Sequence, residues 1–200
     1  MNYNSGERYL QKKYGTEKQA LAFYQNQMLS YLNSLMIDFI AEQDMVFIST
    51  ANKTGECDAS FKSGTKGFVR VLDQTTLAYP EYRGNGVMAS LGNIYENPHI
   101  GLMFVDFFQH QVGLHVNGTA DIIENDRFFQ DILQDQTLKN TIYNSEGTKA
   151  ERWVLISLNE AYIHCSKHIP VLKRTKHNGL TETGKQKTTG DFFQTRKNKS

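Results

Sequence analysis

Residues 44–107 read DMVFISTANKTGECDASFKSGTKGFVRVLDQTTLAYPEYRGNGVMASLGNIYENPHIGLMFVDF, a stretch that decides the fold. Its β-branched and aromatic residues come in short runs. Asn52-Lys53-Thr54-Gly55, Ser63-Gly64-Thr65-Lys66-Gly67 and Asp73-Gln74-Thr75-Thr76 separate them, a spacing that predicts strands. The first four are expected over 45–51, 57–62, 68–72 and 77–80 as an antiparallel meander, with connections short enough for hairpins. Residues 88–95 read as a helix that stops at Asn97-Pro98, since the residue before a proline is driven out of the α region. Small β-barrels leave such a loop beside a groove. There Lys62, Arg83 and the backbone N–H groups around Gly84 and Gly86 offer a seat for a phosphate-bearing cofactor.

Outward from this stretch the period changes. Residues 5–14 and 16–43 read as helical, the second carrying Leu21, Tyr24, Met28, Leu32, Leu35, Ile37, Phe39 and Ile40 mostly three and four apart. Thr16 with Gln19 resembles a capping box, and a break is expected near Asn33 and Ser34. Beyond the stretch, strands are expected over 99–107 and 112–123, joined by a turn near Gln109-His110-Gln111, with a bulge at Gly118. Residues 126–133 carry helical spacing, and 153–164 alternates as a closing strand. The expectation is a mainly β fold with flanking helices, six or seven antiparallel strands forming a barrel.

The 200 residues suit one domain, and 39% hydrophobic composition with 12 Phe and 10 Tyr supplies a sizeable core. No run approaches the roughly 18 apolar residues of a membrane span, and the polar start MNYNSGERYLQKKYG is unlike a signal peptide. A cytoplasmic protein without a membrane partner is expected. Cys57 and Cys165 stand in no metal-ligand spacing and are expected to be reduced thiols. The net charge of +1 hides an asymmetry: residues 171–200 hold eight Lys or Arg against Glu182 and Asp191. Read as a basic tail with no periodic apolar face, that segment is expected to be mobile. Phe192 and Phe193 would allow it to dock on an acidic partner or nucleic acid, though solvated disorder is the simpler reading and nucleic acid is not the expected partner.

The order of elements, together with Gly67-Phe68-Val69-Arg70-Val71-Leu72, Tyr79-Pro80, Arg83-Gly84-Asn85-Gly86, Ser90-Leu91-Gly92-Asn93, Glu96-Asn97-Pro98 and Ile163-His164-Cys165-Ser166-Lys167, resembles the pyridoxamine 5'-phosphate oxidase-like flavin-binding family. The resemblance implies an FMN-binding split β-barrel domain over residues 1–170, including the N-terminal helices. It also implies a homodimer with each flavin at the subunit interface. Carried over by matching position, the phosphate and ribityl contacts fall on Ser60, Lys62, Tyr79, Arg83, Asn85, Ser90 and Asn93. A flavin phosphate carries nearly two negative charges, and Arg83, Lys62, Ser60 and Asn85 offer the mixture of cation and neutral donor it needs. Phe68, Val69 and Val71 are candidates for the wall against the isoalloxazine ring, although packing in any buried sheet explains them equally. A plain turn likewise explains Gly84 and Gly86. Their Gly-x-Gly lacks the surroundings of a dinucleotide fingerprint.

Residues 162–168 crowd two imidazoles, a thiol and an amine at the end of the last expected strand. His164 is a candidate to donate to a flavin carbonyl or a substrate, and Lys167 to offset negative charge on reduced flavin or an acidic ligand. A polar strand end accounts for the same pattern. Cys165 cannot readily share a proton with adjacent His164 across a strand, and no carboxylate stands near His99 or His115 at metal-ligand spacing. The reading is an FMN-dependent oxidoreductase acting on a small molecule of unassigned class. Pyridoxamine 5'-phosphate itself is not the expected substrate. Arg83-Gly84-Asn85-Gly86 departs from the Ser-Arg-Lys run of those oxidases, and the compact Arg- and His-bearing end of that group is replaced by the basic tail. The alternative is a protein that holds flavin, haem or deazaflavin without turnover.

Overall fold

The computed structural model describes residues 5–174. Helices α1 (Ser5–Tyr14) and α2 (Glu17–Asn26) lead through a two-residue strand, β1 (Met28–Leu29), to α3 (Ser34–Ala41). The strands β2 (Met45–Ala51), β3 (Cys57–Ser63), β4 (Arg70–Asp73) and β5 (Thr76–Tyr82) precede α4 (Ala89–Glu96), β6 (His99–Asp106) and β7 (Val112–Glu124). A short α5 (Asn125–Arg127) runs into a π-turn (Phe128–Ile132), then α6 (Gln136–Ser145) and the 15-residue β8 (Ala150–His164).

The antiparallel path is β3-β2-β6-β7-β8-β5-β4, with β1 added beside β8. Inward residues from both ends of the path, Val46 and Ile48 of β2 and Leu77 and Tyr79 of β5, belong to one buried cluster with Leu102, Phe104, Val116 and Ile156. A flat sheet could not bring them together. The sheet therefore wraps into a split β-barrel whose two edges, β3 and β4, remain unpaired with each other. Helix α3 packs Met36, Ile37 and Phe39 against the same cluster, with Ile40 fully buried. A second cluster lies outside the barrel wall, where Trp153 stacks on Phe128 at 4.1 Å and the π-turn buries both Phe128 and Phe129.

Several expectations hold closely: α1 and β2 have the expected bounds, the register of β7 on β8 shifts between Asn117 and Gly118, and the turn at 107–111 joins β6 to β7. Others are corrected. Residues 16–43 are not one helix, because Met28 and Leu29 pair with Tyr162 and Ala161 of β8. The expected break does fall at Asn33, whose side chain caps α3 by accepting the Met36 N–H at 3.0 Å. Thr16 makes no side-chain cap bond, so the capping box is absent. The first four strands form two hairpins rather than one meander: β3 turns away from β4, and the third strand begins at Arg70, not at Phe68. Helix α6 was not foreseen, and β8 begins three residues before Trp153. Phe192, Phe193 and most of the basic tail lie outside the described residues.

Candidate functional site

Where the edge strand β3 stops short of β5, a cleft of about 600 Å³ opens, lined by Ser60 and Lys62, Glu81, the loop 82–88 and the start of α4. Alternation along β3 turns Asp58, Ser60 and Lys62 toward this seam and leaves Cys57, Ala59, Phe61 and Ser63 on the exposed side. The Lys62 ammonium meets the Glu81 carboxylate at 2.5 Å, both side chains being largely shielded. Each neutralises the other. Arg152 is similarly offset by Glu151 at 3.4 Å. Arg83 stands exposed in the same cleft with no ion pair or side-chain hydrogen bond among the described residues, so the uncompensated positive charge of the seam is its guanidinium.

The loop that carries Arg83 ends in strained backbone. Gly86 has φ +84 and Met88, a residue with a side chain, has φ 55, a left-handed conformation that costs on the order of 1 kcal/mol. Asn85 Oδ1 accepts the Val87 N–H at 3.0 Å, tightening the turn. Met88 is the N-cap residue of α4 and provides no side-chain cap. The first N–H groups of a helix have no partner within it, and those of Ala89, Ser90 and Leu91 border the cleft. Helix dipole, free N–H groups and an unpaired guanidinium in one place form an anion seat.

This donor set fits the phosphate of FMN. Arg83, the Asn85 amide and the α4 N–H groups are available to an incoming oxyanion. Ser60 and Ser90 are already engaged: both hydroxyls lie within 3.0 and 3.1 Å of Asp58 Oδ2 and 2.9 Å from each other, fastening β3 to α4. Asn93 faces away from the cleft and donates to Thr50 Oγ1 at 3.0 Å, fastening α4 to β2. Tyr79 is fully buried with its ring 5.9 Å below the Lys62 ammonium, and its hydroxyl has no hydrogen-bond partner. Burial, then the Glu81 charge, pushes that hydroxyl well above its ordinary ionisation range. Phe68 and Val69 are buried in the barrel core and Val71 packs against it.

His164 and Lys167 do not line this cleft. His164 Nδ1 is 2.9 Å from His115 Nε2 on the outer face of β7 and β8, and His115 stacks on Tyr162 at 4.7 Å. Gly113 permits this approach, because a Cβ there would stand 2.8 Å from the His164 Cβ. Desolvation, then the charge of His164, holds His115 below the usual histidine range. Lys167 is exposed in the short turn Ser166–His168. Sequence reasoning did not find His115 as the partner of His164, nor Glu81 as the counter-charge of Lys62. Both partnerships run between strands. Only the register, with Tyr162 opposite His115, would have revealed the first.

Two other depressions are of comparable size. One, about 750 Å³, separates α1 and α2 from the outer sheet face; the other, about 770 Å³, lies between α3 and residues 172–174. In the second, Arg174 is already bound to Asp44 by two hydrogen bonds of 2.6 and 3.0 Å. Among the described residues no group of three or more His, Cys, Asp or Glu could hold a metal ion, and no helix is long and apolar enough to cross a membrane.

A wrapped sheet with a polar cleft at its open seam is a split β-barrel. The family model for pyridoxamine 5'-phosphate oxidase matches residues 34–165, well over half of the chain, and the chain belongs to that family. A solved structure of low identity shares the fold. HupZ of Group A Streptococcus is 18% identical with a TM-score of 0.51, over 71% of this chain and 99% of that one. HutZ, the heme storage protein of Vibrio cholerae, is 14% identical with a TM-score of 0.45, over 66% and 94%. A Clostridium acetobutylicum protein of the pyridoxinephosphate oxidase family, related to general stress protein 26 of B. subtilis, is 12% identical with a TM-score of 0.41, over 70% and 90%. No curated protein matches the chain.

Proposed function

We propose that the chain is an FMN-dependent oxidoreductase acting on a small molecule of unassigned class, as a cytoplasmic homodimer. The observation that carries this reading is the convergence of Arg83, Asn85 and the uncapped start of α4 on one cleft at the seam. Arg83 supplies the charge-assisted contact to the flavin phosphate, and the α4 N–H groups orient its oxygens. Lys62 stands second in line, since Glu81 holds it. When bound, the flavin supplies hydride or one-electron chemistry, and the protein's task is orientation and electrostatics.

The dimer is supported by where His164 and Lys167 lie. Both are on or beyond the outer face of β8 and absent from this chain's own cleft, so a role for them at a flavin calls for the cleft of a neighbouring copy. In that position His164, oriented by its 2.9 Å contact to His115, donates a proton or hydrogen bond to the substrate, and Lys167 offsets negative charge.

The absorption spectrum and mass of the ligand that copurifies test the reading. Flavin bands with the mass of FMN are expected. A Soret band would replace the flavin with haem, and a chain that neither retains nor rebinds FMN would refute the proposal.

A further inference from the structure

The family match and the cleft account for β3, the 83–88 loop and α4, but not for a buried charge cluster behind them. Glu146, directly after α6, is 2% exposed. Its Oε2 accepts the Tyr82 hydroxyl at 2.7 Å, and its Oε1 lies 3.4 Å from Arg70 Nη2. The same Arg70 nitrogen donates to Ser145 Oγ at 2.8 Å. The backbone on either side of the carboxylate is also held: the Glu146 N–H donates to the Ile142 carbonyl at 2.9 Å, and its carbonyl accepts from Lys149 at 2.8 Å. Three separate elements, β4, the end of β5 and α6, thus meet on one side chain.

Tyr82 is the last residue of β5, and Arg83 follows it. Alternation turns Glu81 toward Lys62 in the cleft and Tyr82 the opposite way, toward α6. The register on β8 shifts at this point: Glu81 faces Arg152, Tyr82 faces Ala150, and Glu151 is left over between them. Such a bulge re-aims a strand end. Beyond Tyr82 the next points of definition are the Asn85 turn and Met88, with Gly84 and Gly86 between, neither of which has an atom within 4 Å of where a Cβ would stand. The tyrosine is therefore the last fixed point before the loop leaves the sheet.

Stability alone does not explain a charged anchor here. Replacing a buried ion pair with apolar residues of like volume is often neutral or stabilising, whereas a carboxylate with two directional partners fixes geometry. Burial, then the hydrogen bond to Glu146 and its charge, keeps the Tyr82 hydroxyl protonated far above the ordinary tyrosine range, so it remains a donor throughout.

We infer that Tyr82, Glu146 and Arg70 form a positioning device that sets the pose of Arg83 toward the phosphate of the cofactor. This rests on the reading of the seam as the FMN phosphate site. Arg70 and Glu146 do not line the cleft, and Tyr82, which borders it, has its hydroxyl turned away to Glu146. Their effect is confined to the phosphate end, which gives them a signature that a general loss of stability lacks.

The test compares FMN with riboflavin, which lacks the phosphate, by fluorescence titration of the flavin-free full-length chain. Tyr82→Phe removes one hydroxyl and keeps the ring. It should weaken FMN by roughly tenfold and leave riboflavin within about twofold, the loss being that of one charge-assisted bond. FMN affinity unchanged, or both flavins weakened alike, would overturn the inference. Glu146→Gln carries the same expectation if the first variant does not fold. Arg83→Ala, run in parallel, separates the two levels of the argument. If it leaves the preference for FMN over riboflavin intact, the phosphate site itself is misplaced and the inference goes with it. If it abolishes that preference while Tyr82→Phe and Glu146→Gln do not, the site stands and the positioning role alone is lost.

Discussion

The β6–β7–β8 wall and the seam between β3 and β5 are two regions of one barrel joined by different physics. In the wall, main-chain ladders connect long strands: β7 pairs with β6 from Val112 to Thr119 and with β8 from Gly113 to Glu124, and its inward Leu114 and Val116 are buried. At the seam the ladder stops. Side chains take over, with Asp58 holding Ser60 and Ser90, and Glu81 holding Lys62. An edge strand offers unpaired backbone and polar side chains where an interior strand offers neither. The contrast teaches that main-chain ladders fix the shape of the barrel at the wall, while polar side chains take their place at the seam.

The sharpest way to break this contrast is to strain the wall. Gly118 sits where β7 shifts register against β8, and a Cβ there would run into the Ser157 carbonyl oxygen, a backbone atom that cannot swing aside. Gly118→Ala should cost about 3 kcal/mol in urea denaturation, at the upper end of overpacking penalties. A loss below about 0.5 kcal/mol would mean that the wall yields as readily as the seam.

The same contrast separates what was legible in the sequence from what was not. β2 and the bulge at Gly118 were readable because alternation and a glycine inside a strand are local signals. The residues of the cleft were readable for a similar reason: 60, 62, 83, 85 and 90 lie within one continuous stretch, and the family motifs fall on it. Met28 and Leu29 were misread as helix because their spacing is helical, while what holds them is pairing to β8 more than a hundred residues away. Helix α6 was missed because QTLKNTIYNS is rich in Thr and Asn with only Leu138 and Ile142 at helical spacing on its inner side. One signal was there: Asp135, whose side chain accepts the Leu138 N–H at 2.6 Å. The hairpin pair was read as a meander because turn chemistry is silent on which strands pair. Phe68 fills the space a Gly64 side chain would need, in a connection that leaves β3 rather than folding back on it.

At the seam, Arg83→Ala should change flavin retention with little effect on folding, since the guanidinium is exposed and unpaired in the described residues. Loss of a charge-assisted contact worth roughly 1.5–3 kcal/mol weakens FMN about ten- to a hundredfold. Equilibrium dialysis against FMN measures it, and retention equal to that of the unaltered chain contradicts the assignment. Glu81→Gln sharpens the contrast in the other direction. Removing that charge frees Lys62 for the phosphate, so FMN should bind about threefold more tightly, roughly 0.6 kcal/mol. Weaker binding would show that the pair is needed to shape the cleft.

The smallest expected effect is back on the wall, where its outer face carries the His115–His164 contact. Desolvation and the charge of His164 hold His115 below the ordinary histidine value, so the unfolded chain binds its proton first as pH falls. The stability contributed is full above about pH 6.5, the value of a free histidine, and declines as pH drops from there through the lowered folded value. With His115 partly solvent-exposed, the decline should stay under about 0.5 kcal/mol, read as a falling urea midpoint between pH 7 and pH 5. His164→Ala removes the repelling charge and should flatten that slope. Buried carboxylates pull the same way and provide the control: three backbone N–H donors hold Asp106 below the usual carboxylate range against the opposing effect of burial, so its contribution is lost only at lower pH. A slope that persists unchanged in His164→Ala would show that the charge of His164 contributes nothing to it and leave desolvation of His115 and such carboxylates as its source.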